Sequence, residues 1–325
     1  MLGQKTSDSG AVFCTAEAPL VTVAIPLYNH ARFIVDGLNS VLAQLPVKIE
    51  LVLIDDGSTD NGFELASEWA SQHGANFVSI DFSQQANAGI TATMDKLIRK
   101  STGQYILLLA SDDLLIPHSI ARRLVEFQDP KILAVFGDAV PMLEDGTVSG
   151  RSAIQELGQK ASRAALSDPR TLAWELIYRW NIYGSVLICR REALIDEDGK
   201  SVLDVRVFCE DMQLYYKFAT ANALKYIDEP VAYYRLHATN TSKSPALVQK
   251  FRQSEQRTKA SAMKDMPFLK KAVVAAQYYS YYRWAGTGCN PLKKAGALGC
   301  AIAVRITRNF YDAHRRLLYG QPVDY

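Results

Sequence analysis

Pairs of acidic residues follow two hydrophobic segments of this chain, at the point where each segment ends. Asp55 and Asp56 come directly after IELVLI, and Asp112 and Asp113 come after YILLLAS. Adjacent carboxylates repel each other, so placing them together at the rim of a core costs free energy unless a positive group lies between or beyond them. The pattern therefore predicts a site that also holds something positively charged.

Other polar residues that could do chemistry lie at the ends of predicted elements. Tyr28 and Asn29 follow VTVAIPL, His237 ends a predicted strand over 231–236, and Glu210 and Asp211 begin a predicted helix over 207–220. Each has a structural alternative, because acids in a first helical turn are favoured by the helix dipole and a lone histidine is more often structural than a ligand. Capping of a helix could likewise explain the acids from 55 to 60.

Predicted strands alternate with helices in the part of the chain that must position these residues. The expected strands cover 21–29, 49–56, 76–82, 105–109 and 132–140, with helical apolar spacing between them. This alternation predicts an α/β fold with a mostly parallel, doubly wound sheet over 20–140. The carboxyl ends of parallel strands meet at one edge, so the polar residues after the strands should converge there. The pattern becomes irregular over 145–200, and its segment 172–194 fits a loop-rich wall over a polar substrate and a packed core equally well.

Composition and cysteine usage are those of an ordinary globular protein, with 48% hydrophobic and 22% charged residues. The five cysteines include no CxxC pair, so neither a disulfide framework nor a zinc site is indicated. The N-terminus lacks the pattern of a secretory signal, and no apolar run approaches the roughly 18 residues needed to span a bilayer. We therefore expect a cytoplasmic protein without a nucleic-acid partner.

Charge is distributed unevenly along the chain. Residues 1–242 carry 21 Lys and Arg against 30 Asp and Glu, whereas residues 243–325 carry 15 against 4. A solvated helical face would explain the basic C-terminal region. The alternative is contact of these basic amphipathic helices with an anionic partner, either a membrane leaflet such as the inner face of the cell membrane or an anionic acceptor.

The order of five motifs resembles that of the family 2 glycosyltransferases, which have the GT-A fold, a Rossmann-like sheet flanked by helices. The motifs are VTVAIPLYN, LVLIDDGSTD, NAGI, GQYILLLASDD and CEDMQLYYK, and the resemblance covers about 20–240. It implies an inverting, hexosyltransferase-type enzyme that uses Mn²⁺ or Mg²⁺. The sugar would pass from a nucleotide-sugar donor, UDP- or dTDP-linked, to a hydroxyl of a saccharide or lipid-linked acceptor in bacterial surface polysaccharide synthesis.

The resemblance also implies roles for individual residues. Asp113 would bind the metal with His237 nearby, Asp112 would contact the ribose of the donor, and Asp211 would be the general base. The remaining nucleotide-sugar contacts would come from the base-binding loop, from the acid that accepts from the nucleobase, and from the NAGI motif: Pro26, Tyr28, Asn29, Asp56, Asn87 and Gly89.

Two positions depart from the family pattern. Ala110 stands where many members carry a further acid, and Asp95 stands where Asn is common. The first departure leaves the division of roles between Asp112 and Asp113 open.

The chain is expected to comprise an N-terminal extension over 1–19, a catalytic domain over 20–242 and a basic helical region over 243–325. The catalytic domain divides into a nucleotide-binding part, 20–140, and an acceptor-binding part, 141–242. A sugar nucleotidyltransferase is disfavoured because IPLYNHARF contains no glycine, and a dehydrogenase because GxGxxG is absent. A non-catalytic saccharide-binding protein is the remaining alternative.

Overall fold

The computed structural model describes residues 18–157, 160–179, 182–240, 248–262, 268–284 and 291–319. The expected N-terminal extension, 1–19, lies outside this part except for its last two residues. The strands are β1 Leu20–Leu27, β2 Lys48–Asp55, β3 Ser79–Gln84, β4 Tyr105–Leu108, β5 Leu114–Leu115, β6 Ala134–Leu143, β7 Leu187–Arg190 and β8 Leu224–Leu236. The α-helices are α1 Ala31–Leu42, α2 Gly62–His73, α3 Ile90–Lys100, α4 Ser119–Leu124, α5 Ala153–Glu156, α6 Arg163–Ser167, α7 Leu172–Tyr178, α8 Glu210–Thr220, α9 Val248–Ala262, α10 Phe268–Trp284 and α11 Pro291–Tyr319.

All eight strands form a single sheet in the order β3-β2-β1-β4-β7-β6-β8-β5. The first four strands are mutually parallel, as predicted for 20–140. The second half is mixed, because β7 is antiparallel to both β4 and β6 while β6 is parallel to β8. The predicted α/β class with flanking helices is therefore confirmed, and the strand expected at 132–140 is separated from β4 by an antiparallel strand.

Helices cover both faces of the parallel half, which explains why its strands are almost continuously apolar. The apolar side of α1, with Ile34 and Leu38, packs on one face of the sheet, and that of α3, with Leu97 and Ile98, packs on the other. The strands β1 and β2 are buried from their second residue onward. This double cover leaves the carboxyl edge of the strands as the place for polar groups.

The irregular stretch 145–200 contributes a central strand that the sequence interpretation missed. Leu187, Ile188 and Cys189 of β7 are at most 2% exposed. A four-residue strand is too short to show a period in the sequence, so its neighbours in the sheet decide its conformation. The packed-core alternative is confirmed for β7.

The long strand β8 connects the second half of the sheet to the loop that carries the acidic pair after β4. It pairs with β6 along most of its length, and Leu114 of β5 pairs with Tyr233 of β8. Because β5 follows directly after Asp112 and Asp113, this pairing brings the end of β8 beside the acidic pair.

The C-terminal helices pack on the catalytic body, as the predicted helical extension requires. Tyr311 of α11 and Val274 of α10 share an apolar cluster with Tyr178 of α7 and Met212 of α8. Among the helices that the structure describes, none combines the length and apolar character that crossing a membrane would require.

Candidate active site

A turn after β4 points the two adjacent aspartates into different surroundings. The N–H of Leu109 donates to the carbonyl of Ala24 at 3.0 Å, so the chain still follows β1 at this point. The N–H of Asp113 then donates to the carbonyl of Ala110 at 3.1 Å and closes the turn. As a result, the side chain of Asp112 reaches the polar edge of the sheet, whereas Asp113 is only 3% exposed.

The carboxylate of Asp113 is occupied by hydrogen bonds within the protein. Its Oδ2 accepts from the hydroxyl of Ser185 at 2.6 Å, and its Oδ1 accepts from the backbone N–H of Arg235 at 2.9 Å. Burial and the neighbouring charge of Asp112 raise the pKa of Asp113 well above its ordinary value. Through these two hydrogen bonds, Asp113 connects the turn to the segment around Ser185 and to β8.

Arg235 is the positive group that the acidic pair requires. Its side chain is buried, and its Nε donates to the carbonyl of Asp112 at 2.9 Å while Nη1 donates to the carbonyl of Glu144 at 2.9 Å. Its Nη2 lies 3.3 Å from Oδ2 of Asp36. The guanidinium charge thus lies beside the turn of Asp112 and Asp113 and lowers the cost of burying two acids there.

Two histidines lie around Asp112. The Nε2 of His237 lies 2.9 Å from Oδ2 of Asp112. His30, Asp112 and His237 each offer one ligand atom, and these atoms all lie within 4.8 Å of one another. Two imidazole nitrogens and one carboxylate oxygen form a ligand set suited to divalent transition metals.

A hydroxyl group contacts one ring nitrogen of each histidine. His30 Nδ1 lies 2.8 Å from Oγ of Ser111, and His237 Nδ1 lies 2.9 Å from Oγ1 of Thr239. Such outer contacts orient imidazoles for metal binding. Burial lowers the pKa of His30 against the opposing charge of Asp112, which favours the neutral imidazole that a metal requires. These residues therefore fit a divalent cation.

The ionisation of Asp112 suits the same purpose. Burial opposes its charged form, but the hydrogen bond from His237 and the electrostatic attraction of the neighbouring imidazoles outweigh burial and lower the pKa of Asp112. An ionised carboxylate at the polar edge can accept a cation in place of a proton.

The next strand end forms a cradle around Asp56. Its Oδ1 accepts from the N–H of Ala88 at 2.7 Å and from Nε2 of Gln85 at 2.8 Å, and its Oδ2 accepts from the N–H of Gly89 at 2.9 Å. Gly89, the N-cap of α3, has φ of 87°, a conformation that favours glycine. Asp56 thus fixes the start of α3 beside β2, and Asn87 in the same loop is exposed.

The loop after β1 is tied to the loop after β2. Asn29, with φ of 52°, donates its N–H to Oγ of Ser58 at 2.9 Å and accepts the N–H of Thr59 at 2.8 Å through Oδ1. Tyr28, the preceding residue, is 48% exposed. Pro26, near the end of β1, is buried. The exposed ring of Tyr28 is available to a ligand at this edge.

Asp211 lies in the first turn of α8. Burial raises the pKa of Asp211 to about 6, and burial together with the charge of Asp211 raises the pKa of Glu210 to about 8. The loop before α8 is joined to the start of α3, because the hydroxyl of Thr91 donates to the carbonyl of Val207 at 2.7 Å. The start of α3 therefore links Asp56 to the segment that carries Asp211.

The assignment of the metal ligand stays a prediction. The sequence interpretation gave the metal to Asp113 and the ribose to Asp112, whereas Asp112 is the acid that lies with His237. Sequence reasoning also missed His30, Ser185 and Arg235. His30 carried a signal, since it directly follows the polar pair after β1, but the other two lie among irregular or strand residues without a motif.

Comparison with known proteins finds glycosyltransferases among the relatives of this chain. An uncharacterized glycosyltransferase of Nostoc sp. is 29% identical over 246 residues, which is 74% of this chain and 71% of that protein. Chondroitin synthase of Escherichia coli is 37% identical over 116 residues, 36% of this chain but only 16% of the synthase. Hyaluronan synthase of Pasteurella multocida is 35% identical over 116 residues, 36% of this chain and 12% of that enzyme.

Solved structures share the fold. TarS of S. aureus in complex with UDP-GlcNAc superposes with a TM-score of 0.59 at 16% identity, covering 86% of this chain and 79% of TarS. A mannosyltransferase of Pyrobaculum calidifontis, solved with GDP-Man and Mn²⁺, gives 0.50 at 18% identity over 94% of this chain and 89% of its own. The eight-stranded sheet is thus of the Rossmann-like GT-A type. Residues 22–197, more than half of the sequence and including the acidic pairs after β2 and β4, match the pattern described as "Glycosyl transferase family 2", and the chain belongs to that family.

Proposed function

We propose that this glycosyltransferase moves a sugar, with inversion, from a UDP- or dTDP-sugar to a hydroxyl of a saccharide or lipid-linked acceptor. The observation that carries the proposal is the cluster of Asp112, His237 and His30 at the carboxyl edge of the sheet. The TarS complex with UDP-GlcNAc supports a pyrimidine nucleotide donor. The chondroitin and hyaluronan synthases among the relatives support a role in polysaccharide synthesis.

The proposed metal ligands are Asp112, His237 and His30. Asp113 and Arg235 hold the turn after β4 that carries Asp112. A Mn²⁺ or Mg²⁺ ion held by these ligands would neutralise charge on the departing diphosphate. The Mn²⁺ in the mannosyltransferase structure supports a divalent ion on this fold. Imidazole nitrogens favour Mn²⁺ over Mg²⁺, since Mg²⁺ prefers oxygen ligands and retains its water.

The nucleoside is proposed to lie over the loops after β1 and β2. Tyr28 offers an exposed ring for the base, and Asn29, Asp56, Asn87 and Gly89 shape the loops around it. Asp56 already accepts three hydrogen bonds, which leaves one lone-pair direction of its carboxylate for a base N–H.

Asp211 is proposed to take the proton from the acceptor hydroxyl. The bond from the anomeric carbon to the diphosphate breaks with its electron pair on the diphosphate, and the acceptor oxygen forms the new bond from the opposite face. Asp211 suits this role better than Glu210 at neutral pH, since an acid with a pKa of about 6 is ionised there and one with a pKa of about 8 holds its proton.

The test is to incubate the purified chain with UDP-, dTDP- and GDP-sugars, Mn²⁺ and a panel of saccharide acceptors. Release of nucleoside diphosphate with an acceptor-linked sugar is expected, and NMR of the product should show the anomeric configuration opposite to that of the donor. Release of pyrophosphate from a nucleoside triphosphate and a sugar phosphate would instead identify a nucleotidyltransferase. Donor binding without turnover under any acceptor would favour the non-catalytic alternative.

A further inference from the structure

The last helix, α11, docks on the catalytic body through polar and charged side chains. Asp312 Oδ1 lies 2.7 Å from Nη2 of Arg179, and Arg315 Nη1 lies 3.1 Å from Oε1 of Glu175. Tyr311 donates its hydroxyl to Oε2 of Glu175 at 2.6 Å. All five side chains are buried, so these contacts set one side of α11 firmly against α7.

The end of α11 is held in the same way. Tyr319 donates its hydroxyl to Oδ2 of Asp168 at 2.7 Å and lies 3.1 Å from the hydroxyl of Thr171. Polar contacts thus run along one side of α11 from Tyr311 to Tyr319.

The opposite side of α11 is apolar and exposed. Ile302 and Ile306 are 49% and 48% exposed, and Phe310 and Leu317 are 73% and 85% exposed. At about 100° per residue these four side chains fall within an arc of roughly 80° and lie opposite Tyr311 and Arg315. We call this set (Ile302, Ile306, Phe310 and Leu317) the apolar face of α11.

Amphipathic helices of globular proteins normally turn their apolar stripe inward and their charges to water. The orientation of α11 is the reverse, with its acid and a buried arginine inward and the apolar face outward. Four large apolar side chains on one exposed face mark an interaction site rather than scattered surface residues.

Positive charge borders the apolar face. Arg305 and Arg316 are exposed and lie along one edge of the arc. Asp312, the only acidic residue in the sequence of α11, points to the catalytic body instead. Arginines at the edge of an apolar stripe can place their guanidinium groups among lipid phosphates while their stems stay in the apolar region.

We infer that α11 lies flat in the surface of an anionic lipid bilayer, with its apolar face among the acyl chains and Arg305 and Arg316 at the phosphates. A bilayer fits this face better than a second copy of the chain does. Two-fold pairing of the face would bring the arginines of both copies together, without an exposed acid on α11 to pair with them. Membrane binding by α11 does not depend on the reaction proposed above.

The test is sedimentation of the full chain with vesicles of phosphatidylcholine alone or mixed with phosphatidylglycerol. The chain should bind the anionic vesicles at least about tenfold more tightly, and added salt should weaken binding. A double variant, Phe310→Ser with Leu317→Ser, should lose binding by about tenfold or more because both exposed side chains leave the acyl region. Arg305→Gln with Arg316→Gln should weaken binding to anionic vesicles by roughly fivefold per arginine.

Val148→Ser is the control, because Val148 is an apolar residue on the catalytic body that is also exposed, at 53%. It should bind vesicles like the unaltered chain, and circular dichroism melts of all variants should agree. Equal vesicle binding by the Phe310→Ser, Leu317→Ser variant and the unaltered chain would overturn the inference. So would absence of vesicle binding together with a dimer, seen by light scattering, that this double variant dissociates, since the apolar face would then join two copies.

Discussion

His237 Nε2 lies 2.9 Å from Oδ2 of Asp112, a residue 125 positions earlier in the chain. The pairing of β5 with β8 brings these two side chains together, because β5 starts just after the acidic pair and β8 ends just before the histidine. Asp113, next to Asp112 in sequence, faces Ser185 and the backbone of Arg235 instead. One acid is therefore available to a cation and the other supports the turn.

We predict that Asp112→Asn lowers the affinity for Mn²⁺ by about 100-fold or more, because an amide oxygen replaces the charged ligand. His30→Gln should lower the affinity by about tenfold, since a neutral ligand is lost. Isothermal titration calorimetry and electron paramagnetic resonance of Mn²⁺ measure this without any turnover.

Asp113→Asn is the matched control for the metal experiment, since it makes the same change one residue later. It should keep most of the Mn²⁺ affinity as long as the protein remains folded. Loss of Mn²⁺ binding in Asp113→Asn with retention in Asp112→Asn would restore the assignment that the family resemblance implied.

The second prediction concerns stability. Asp113→Ala removes the acceptor for the hydroxyl of Ser185 and the N–H of Arg235, and each buried group left unpaired costs about 1–3 kcal/mol. The free energy of unfolding in urea should fall accordingly. Asp113→Asn should be milder because its amide oxygen can still accept from Arg235. An alanine variant as stable as the unaltered chain would show that the turn does not depend on these bonds.

The third prediction is the pH dependence of transfer. A general base must be unprotonated, so the rate should fall as the pH drops below about 6, the raised pKa of Asp211. Asp211→Asn should lower the rate by about 100-fold or more and remove this acidic limb. Rates at saturating donor across a pH series measure both effects.

Glu210→Gln provides the comparison for Asp211. Glu210 holds its proton at neutral pH, so this change should leave the rate within about threefold and preserve the acidic limb. A large loss in Glu210→Gln together with a normal rate in Asp211→Asn would transfer the role of base to Glu210.

The fourth prediction concerns the cradle at the start of α3. Asp56→Asn removes the charged acceptor of two backbone N–H groups, so UDP should bind about tenfold more weakly and stability should fall by about 1–3 kcal/mol. Asp95→Asn is the control, because it makes the same change in an exposed pair with Arg99 worth only about 0.3–0.5 kcal/mol. Similar UDP affinities for both variants would contradict a role for Asp56 in shaping the nucleotide loop.

Several parts of the site followed from local pattern. Acids after apolar segments predicted that Asp55, Asp56, Asp112 and Asp113 lie at the edge of a sheet, because buried strands show continuous apolar runs and their ends do not. The end of β8 at Leu236, just before His237, was predicted for the same reason. The strand β7 was missed because four residues flanked by irregular chain show no period.

The sequence by itself determined which strands end in polar residues, and through the order of the motifs it determined the family. Only the tertiary structure decided which of Asp112 and Asp113 lies beside His237, since that depends on the turn from Ala110 to Asp113 and on hydrogen bonds from Ser185 and Arg235, which are distant in sequence. The tertiary structure also decided that α11 turns the charged side chains of Asp312 and Arg315 towards α7 and its apolar face outward. Helical periodicity defines the two sides of a helix, but the buried partners Glu175 and Arg179 select the side that docks.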